Sequence, residues 1–295
     1  MFRLTNVIIG IAVALISISL WALINEPEEH PAWPQQVMGF SFAPMRADFD
    51  PDEKNYPSLE EIEQDIKLLA GKTVAIRSYT VEDTLAEIPA IARKYNMNVC
   101  LGAWLDEDKK NNAIEFPRFI RVARQNPNIV RAIIGNETQL HGMLTLKELI
   151  DYLDEARENL FIPVSTAEPA HIWLKHPELV EHVDFIAVQI LPYWEGKDVK
   201  HAVNHVFDVV KKIKETYPGK SVIISEVGWP SNGRTRLERE PPPDRSRQSA
   251  VASKSNQAMF LRNFLERVRN ENVIYYIMEA FDQPWKSQFV GAVGA

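Results

Sequence analysis

The chain has 295 residues, 45% hydrophobic and 25% charged, with a formal net charge of −7 at pH 7. Such a length and apolar content give one large domain a core of its own and exclude a chain too polar to fold. The acidic balance argues against a nucleic-acid partner: the arginine-rich stretch from Arg234 to Arg247 is broken by Glu238, Glu240 and Asp244, so it reads as a solvated mixed-charge loop, not a phosphate-binding stripe.

At the amino terminus, Val7 to Ile24 is apolar except for Gly10, Ser17 and Ser19. Such a run approaches the ~20 residues that span hydrocarbon. It exceeds the apolar region of a cleavable signal, about 7–15 residues, and Leu20-Trp21-Ala22-Leu23 offers no small-x-small cleavage site. Residues 1–24 therefore read as a transmembrane signal anchor. Arg3 precedes the run, whereas Glu26, Glu28 and Glu29 follow it, which leaves the short amino terminus in the cytoplasm and the rest extracytoplasmic, periplasmic or extracellular. Residues 25–36, with Pro27, Pro31 and Pro34, read as an extended linker, and residues 37–295 as one folded domain.

Within that domain, short apolar runs alternate with amphipathic helical patterns. Eight runs read as buried parallel strands: Val37–Ala43, Thr73–Ser78, Val99–Ala103, Val130–Gly135, Ile162–Ser165, Phe185–Ile190, Val222–Ser225 and Val273–Met278. The lone cysteine, Cys100, falls in the third run and reads as a small core residue. Ser58-Leu59-Glu60-Glu61 and Thr145-Leu146-Lys147-Glu148 are capping boxes. The helix from Leu59 to Leu69 stops at Gly71, and the one from Val199 to Thr216 stops near Pro218-Gly219. Eight β-α units predict a (β/α)8 TIM barrel in the α/β class. The first strand is followed by no glycine-rich phosphate loop, which excludes a dinucleotide fold.

In such a barrel the chemistry sits where strands give way to loops. The fourth strand runs into Asn136-Glu137, and the seventh into Glu226-Val227-Gly228-Trp229. These two strands lie across the mouth from each other. Two carboxylates facing across a cleft suit glycosidic cleavage, one protonating the leaving oxygen while the other attacks or activates water. Arg77 and Tyr79 end the second strand, Tyr193 and Trp194 follow the sixth, and Glu279, Trp285 and Lys286 follow the eighth. The tryptophans offer flat faces on which sugar rings can stack.

The segments Gly39-Phe40-Ser41-Phe42-Ala43-Pro44, Ile134-Gly135-Asn136-Glu137, Ile224-Ser225-Glu226-Val227-Gly228-Trp229-Pro230-Ser231 and Glu279-Ala280-Phe281-Asp282-Gln283-Pro284-Trp285-Lys286 resemble glycoside hydrolase family 17, with its bacterial membrane-associated branch nearest. The resemblance implies retaining action on β-1,3-glucan, with Glu137 as acid/base and Glu226 as nucleophile. It implies that Asn136 bonds the sugar 2-hydroxyl, that Tyr193 steers the nucleophile, and that Glu279 and Lys286 bind sugar hydroxyls or tune the acid. Arg77, Tyr79, Trp229 and Trp285 complete the expected substrate site. No cofactor and no metal is expected, and the expected partners are a β-glucan poly- or oligosaccharide and the membrane.

Two features depart from the family pattern. The polar loop from Asn232 to Asn256 leaves the seventh strand and is expected to overhang the cleft. Val290 to Ala295 resembles the start of a closing segment cut short, which predicts a gap over the outer face of the eighth strand. Hydrolysis and transfer of the glycosyl group both remain open, as does a glycan-binding protein with a dead site. A metal-dependent hydrolase is disfavoured because His141, His171, His176, His182, His201 and His205 fall in loops or helical segments.

Overall fold

The computed structural model describes residues 4–25, 31–49, 53–238 and 248–286. The chain divides into two compact units, Met1–Ala32 and Trp33–Ala295. The first holds helix α1, Leu4–Ile24, none of whose residues is buried. Its mean hydropathy reaches 2.7, and among the described residues it is the one helix long and apolar enough to cross a membrane. At ~1.5 Å per residue its length matches the ~30 Å of a hydrocarbon core.

The second unit is a closed barrel of parallel strands. In chain order come β1 (Val37–Ser41), α2 (Leu59–Leu69), β2 (Thr73–Arg77), α3 (Ile88–Lys94), β3 (Asn98–Ala103), α4 (Lys109–Gln125), β4 (Ile129–Asn136), α5 (Leu146–Asn159), β5 (Val164–Pro169), α6 (Ala170–Lys175), β6 (Phe185–Ile190), α7 (Val199–Thr216) and β7 (Ser221–Val227). A two-stranded antiparallel ribbon, β8 (Arg236–Leu237) with β9 (Ser249–Ala250), precedes α8 (Lys254–Val268) and the eighth barrel strand, β10 (Ile274–Ile277). Strand β10 pairs with both β7 and β1, which closes the ring.

The chemistry of the chain explains these elements. Both expected capping boxes form: Ser58 Oγ accepts from the Glu61 amide at 3.3 Å while the Glu61 carboxylate accepts from the Ser58 amide at 2.9 Å, and Thr145 and Glu148 repeat the arrangement. Each pair satisfies two amides that a helix start otherwise leaves orphaned. The barrel lumen is filled by mostly small side chains, Ala75, Cys100, Ile133, Ala167, Ala187 and Ile223, with Phe185 and Tyr276 as the large ones. Tyr276 leaves no room on β1: a Cβ at Gly39 would lie 2.4 Å from its ring. The outward faces of the strands pack against the helices in a second, larger apolar layer.

The eighth strand answers one expectation. Its outward residues Tyr275 and Ile277 are only 7% and 2% exposed. Phe264 of α8 meets the Tyr275 ring edge-on at 5.2 Å and stacks with Phe207 of α7 at 5.8 Å. The gap expected over this face is therefore not present at these two residues. The segment read as cut short, Val290 to Ala295, lies outside the described residues.

Phe264 is fully buried between the strand and two helices. Phe264→Ala should therefore lower the unfolding free energy by about 3–5 kcal/mol, measured by chemical denaturation, since the cavity cannot collapse without moving α8.

Candidate active site

The carboxyl ends of the strands converge on a buried polar cluster. Glu226 lies near the end of β7 and is 4% exposed, and Arg77, the last residue of β2, is 1% exposed. Arg77 Nη1 donates to Glu226 Oε1 at 2.6 Å, and Arg77 Nη2 donates to Asn136 Oδ1, also at 2.6 Å. Tyr79 OH donates to the same Glu226 oxygen at 2.8 Å. From β6, Gln189 Nε2 donates to Asn136 Oδ1 at 3.1 Å. One guanidinium thus ties the ends of strands two, four and seven together. Burial and then the Glu226 charge push the Tyr79 phenol well above its usual pKa, so it stays a donor.

Glu137 follows directly after β4. Its backbone is left-handed, with φ 53°, after Gly135 at φ 76°. That conformation is costly for a residue with a side chain. It turns the chain out of the strand direction, and the Glu137 amide donates to Ala167 O of β5 at 2.8 Å. The side chain is 26% exposed, and His141 Nε2 lies 3.3 Å from its Oε2. Burial first, and then the charge of Glu226, hold the Glu137 carboxyl above the ordinary glutamate range, while His141 and Arg77 pull it back. The two carboxyls therefore sense each other: one is gripped by a cation and a phenol, and the other favours its proton.

Beside them opens a cleft of about 250 Å³, lined in part by Trp194, Trp229, Glu279 and Lys286. Lys286 Nζ donates to Glu279 Oε2 at 2.9 Å. Burial raises the Glu279 pKa and the Lys286 charge opposes it. The other carboxylate oxygen, Oε1, is buried. Gly228 permits this arrangement, because a Cβ there would lie 2.2 Å from Met278 O.

Three expected roles change. Tyr193 does not reach the nucleophile candidate: its hydroxyl donates to Arg234 O at 2.5 Å, and Glu226 is met by Tyr79 instead. Trp229 is 2% exposed, packed 5.7 Å from Phe260 with its indole N–H on Val251 O at 3.0 Å, so it forms the cleft wall more than a stacking face. Trp285 packs edge-on against Phe49 at 5.1 Å, and its indole donates to Gln283 Oε1. The most exposed cleft tryptophan is Trp194, 40% exposed, with the Arg236 guanidinium over one face, 3.8 Å from its ring centroid. Arg236 belongs to the ribbon of the loop expected to overhang the cleft; residues 239–247 of that loop lie outside the described residues.

Gln189, His141 and Glu168 carry site contacts that sequence reasoning assigned to none of them. His141 was legible in principle, four residues after Glu137. Glu168 was hidden because β5 ends at Pro169, not at Ser165 as its apolar run predicted. Among the described residues no group of three or more His, Cys, Asp or Glu could hold a metal ion, and His182 pairs with Asp154 at 2.8 Å.

The BtgE/BtgC glycoside hydrolase domain matches residues 39–295. A probable glucan endo-1,3-β-glucosidase of Aspergillus flavus is 26% identical over 288 residues, covering 90% of this chain and 41% of that protein. A glucan 1,3-β-glucosidase of Arthroderma benhamiae is 26% identical, covering 87% of this chain and 83% of that protein. The crystal structure of a glycoside hydrolase family 17 β-1,3-glucanosyltransferase from Rhizomucor miehei superposes with a TM-score of 0.73 at 24% identity, over 88% of this chain and 92% of that one. The chain spans less than half the length of the Aspergillus relatives. These three relatives are fungal, not from the bacterial branch to which the motifs pointed.

Arg77→Ala leaves the Glu226 carboxylate buried without its cation. Breaking a buried pair from one side costs about 3–5 kcal/mol, so the variant should unfold at markedly lower denaturant concentration than wild type. An unchanged midpoint would mean that the pair carries no such role.

Proposed function

Because the chain belongs to the BtgE/BtgC glycoside hydrolase domain family, with a family 17 enzyme among its fold neighbours, we propose that it is a retaining β-1,3-glucan hydrolase of the endo-glucanase type. The observation that carries this reading is the pair Glu137 and Glu226. Glu226 is gripped and aimed by Arg77 and Tyr79, while Glu137 is biased toward its protonated form partly by Glu226 itself.

In the first step Glu226 attacks the anomeric carbon as Glu137 gives its proton to the departing glycosidic oxygen. The bond to the leaving sugar breaks and a glycosyl–Glu226 ester forms. In the second step Glu137 takes a proton from water, whose oxygen attacks the same carbon and frees Glu226. Arg77 and Tyr79 aim the Glu226 oxygens. Asn136, itself fixed by Arg77 and Gln189, meets the sugar 2-hydroxyl, and the Glu279–Lys286 pair at the cleft meets another hydroxyl. Trp194 supplies a stacking face at the cleft. The second reading is glucanosyl transfer, in which a sugar hydroxyl replaces water in the second step; it is favoured by the Rhizomucor miehei glucanosyltransferase among the fold neighbours. Helix α1 serves in this proposal as an uncleaved anchor, with the barrel extracytoplasmic.

Mass spectrometry of products from β-1,3-gluco-oligosaccharides tests the reading directly. Shorter oligosaccharides indicate hydrolysis, products longer than the substrate indicate transfer, and no change contradicts both. Glu226→Ala should lose roughly 10⁴-fold in kcat, with azide restoring turnover to an inverted product. Glu137→Ala should lose ~10²–10⁴-fold on natural substrate and far less on an aryl glycoside with a good leaving group; equal losses count against its acid role.

The pH dependence follows from His141. His141 favours the ionised form of Glu137, so His141→Ala raises the pKa at which the acid is lost. The alkaline limb of kcat/KM should then move to higher pH, and a move to lower pH would contradict the assignment. For the anchor, a reporter fused after Pro34 should be exported and remain in the membrane fraction; a soluble, shortened product would show cleavage.

A further inference from the structure

A second buried carboxyl lies behind Glu137, and the two-carboxylate mechanism leaves it idle. Glu168, near the end of β5, is fully buried. Its neighbour Ala167 points into the lumen. Alternation along a strand therefore turns Glu168 to the opposite side, toward the segment that follows Glu137. There Glu168 Oε1 accepts from the Gln139 amide at 2.7 Å, and Oε2 accepts from the Leu140 amide at 3.2 Å.

That segment needs such a hold. Glu137 sits in the left-handed region, so the segment leaves the strand and its ladder. The Glu137 amide is tied to Ala167 O, and His141 N returns to Glu137 O at 3.0 Å. Between those two ties, the Gln139 and Leu140 amides point at one carboxyl on β5. The result is a closed frame: β5 holds the segment once by its main chain and twice by Glu168, and the frame carries both Glu137 and its neighbour His141. Burial, helped by the charge of Glu137, raises the Glu168 carboxyl to about 7 against the pull of the Gln139 and Leu140 amides.

We propose that Glu168 is a positioning residue for the acid/base, clamping the 137–141 segment through two backbone amides so that the Glu137 carboxyl is held over the glycosidic oxygen. This inference rests on the reading of Glu137 as the acid. Glu168 touches no substrate and acts through Glu137. The clamp needs two acceptors at fixed spacing. A glutamine in its place would turn an NH2 group toward one of the two amides and lose that bond.

The test is kcat/KM, which reports the first, acid-assisted step, measured on two substrates: a β-1,3-gluco-oligosaccharide and a dinitrophenyl β-laminaribioside whose leaving group needs little protonation. Glu168→Gln should lose roughly 10–100-fold on the oligosaccharide, a displaced general acid forfeiting part of its worth, and less than about 3-fold on the activated substrate. Glu168→Asp keeps both acceptors on a shorter arm and should fall between wild type and Gln; it carries the same comparison if the Gln variant does not fold. Equal losses on both substrates would show a merely structural carboxyl and overturn the clamp. No loss on either would overturn it as well. In both cases an active wild type, with Glu137→Ala showing the leaving-group split, leaves the function reading standing. A wild type inactive on both substrates removes that reading and this one together.

Discussion

The barrel mouth depends on one buried cation. Arg77 and Glu226 are 149 residues apart in sequence, and both are almost wholly removed from water. Neither charge could be buried alone without a penalty of several kcal/mol. They are tolerable only together, and only if the barrel closes well enough to bring strand two to strand seven. The second arm of the same guanidinium reaches Asn136 on strand four. Closure of the fold and assembly of the site are thus one event. A planar fork suits this task, because it presents two donors in fixed geometry to two different strands, which a lysine point charge would not.

From that pair follows the unequal treatment of the two carboxyls. Glu226 receives a cation and a phenol on one oxygen, which fixes its direction. Glu137 receives burial and the nearby negative charge, with only His141 and a more remote Arg77 in opposition. Two chemically identical side chains thus sit in different surroundings, one fixed by a cation and a phenol and the other biased toward its proton. The left-handed backbone at Glu137 is the geometric counterpart: a strained residue persists only where its surroundings over-determine it, and here three hydrogen bonds to strand five do so.

Much of this was legible in the sequence because the signals are local. Capping boxes at Ser58 and Thr145 are settled within four residues, and the helix that Ser58 opens at Leu59 has the bounds its periodicity predicted. The strand-to-loop transitions at Glu137 and Glu226 were visible because apolar runs stop there. What the sequence hid depends on partners far along the chain. Tyr79 and Tyr193 are equally plausible neighbours of a catalytic carboxylate until the fold gives one Glu226 and the other Arg234 O. Trp229 was expected to offer a stacking face but is buried, its indole satisfied by Val251 O, 22 residues away. Strand five was misplaced because Ser165 and Thr166 break its apolar run. Their hydroxyls are paid for by Phe185 O at 2.6 Å and Gly135 O at 3.3 Å, bonds that no local pattern announces.

The central claim is that Glu226 becomes covalently attached to the sugar. An activated 2-deoxy-2-fluoro-β-laminaribioside slows both steps but slows release more, so the ester accumulates and can be located by peptide mass spectrometry. Attachment of one fluoro-disaccharide to the peptide containing Glu226, with its loss on adding an acceptor sugar or on prolonged incubation in water, is the result expected. Attachment to a different carboxylate, or steady turnover of the reagent with no labelled peptide and an inverted product, would contradict the account.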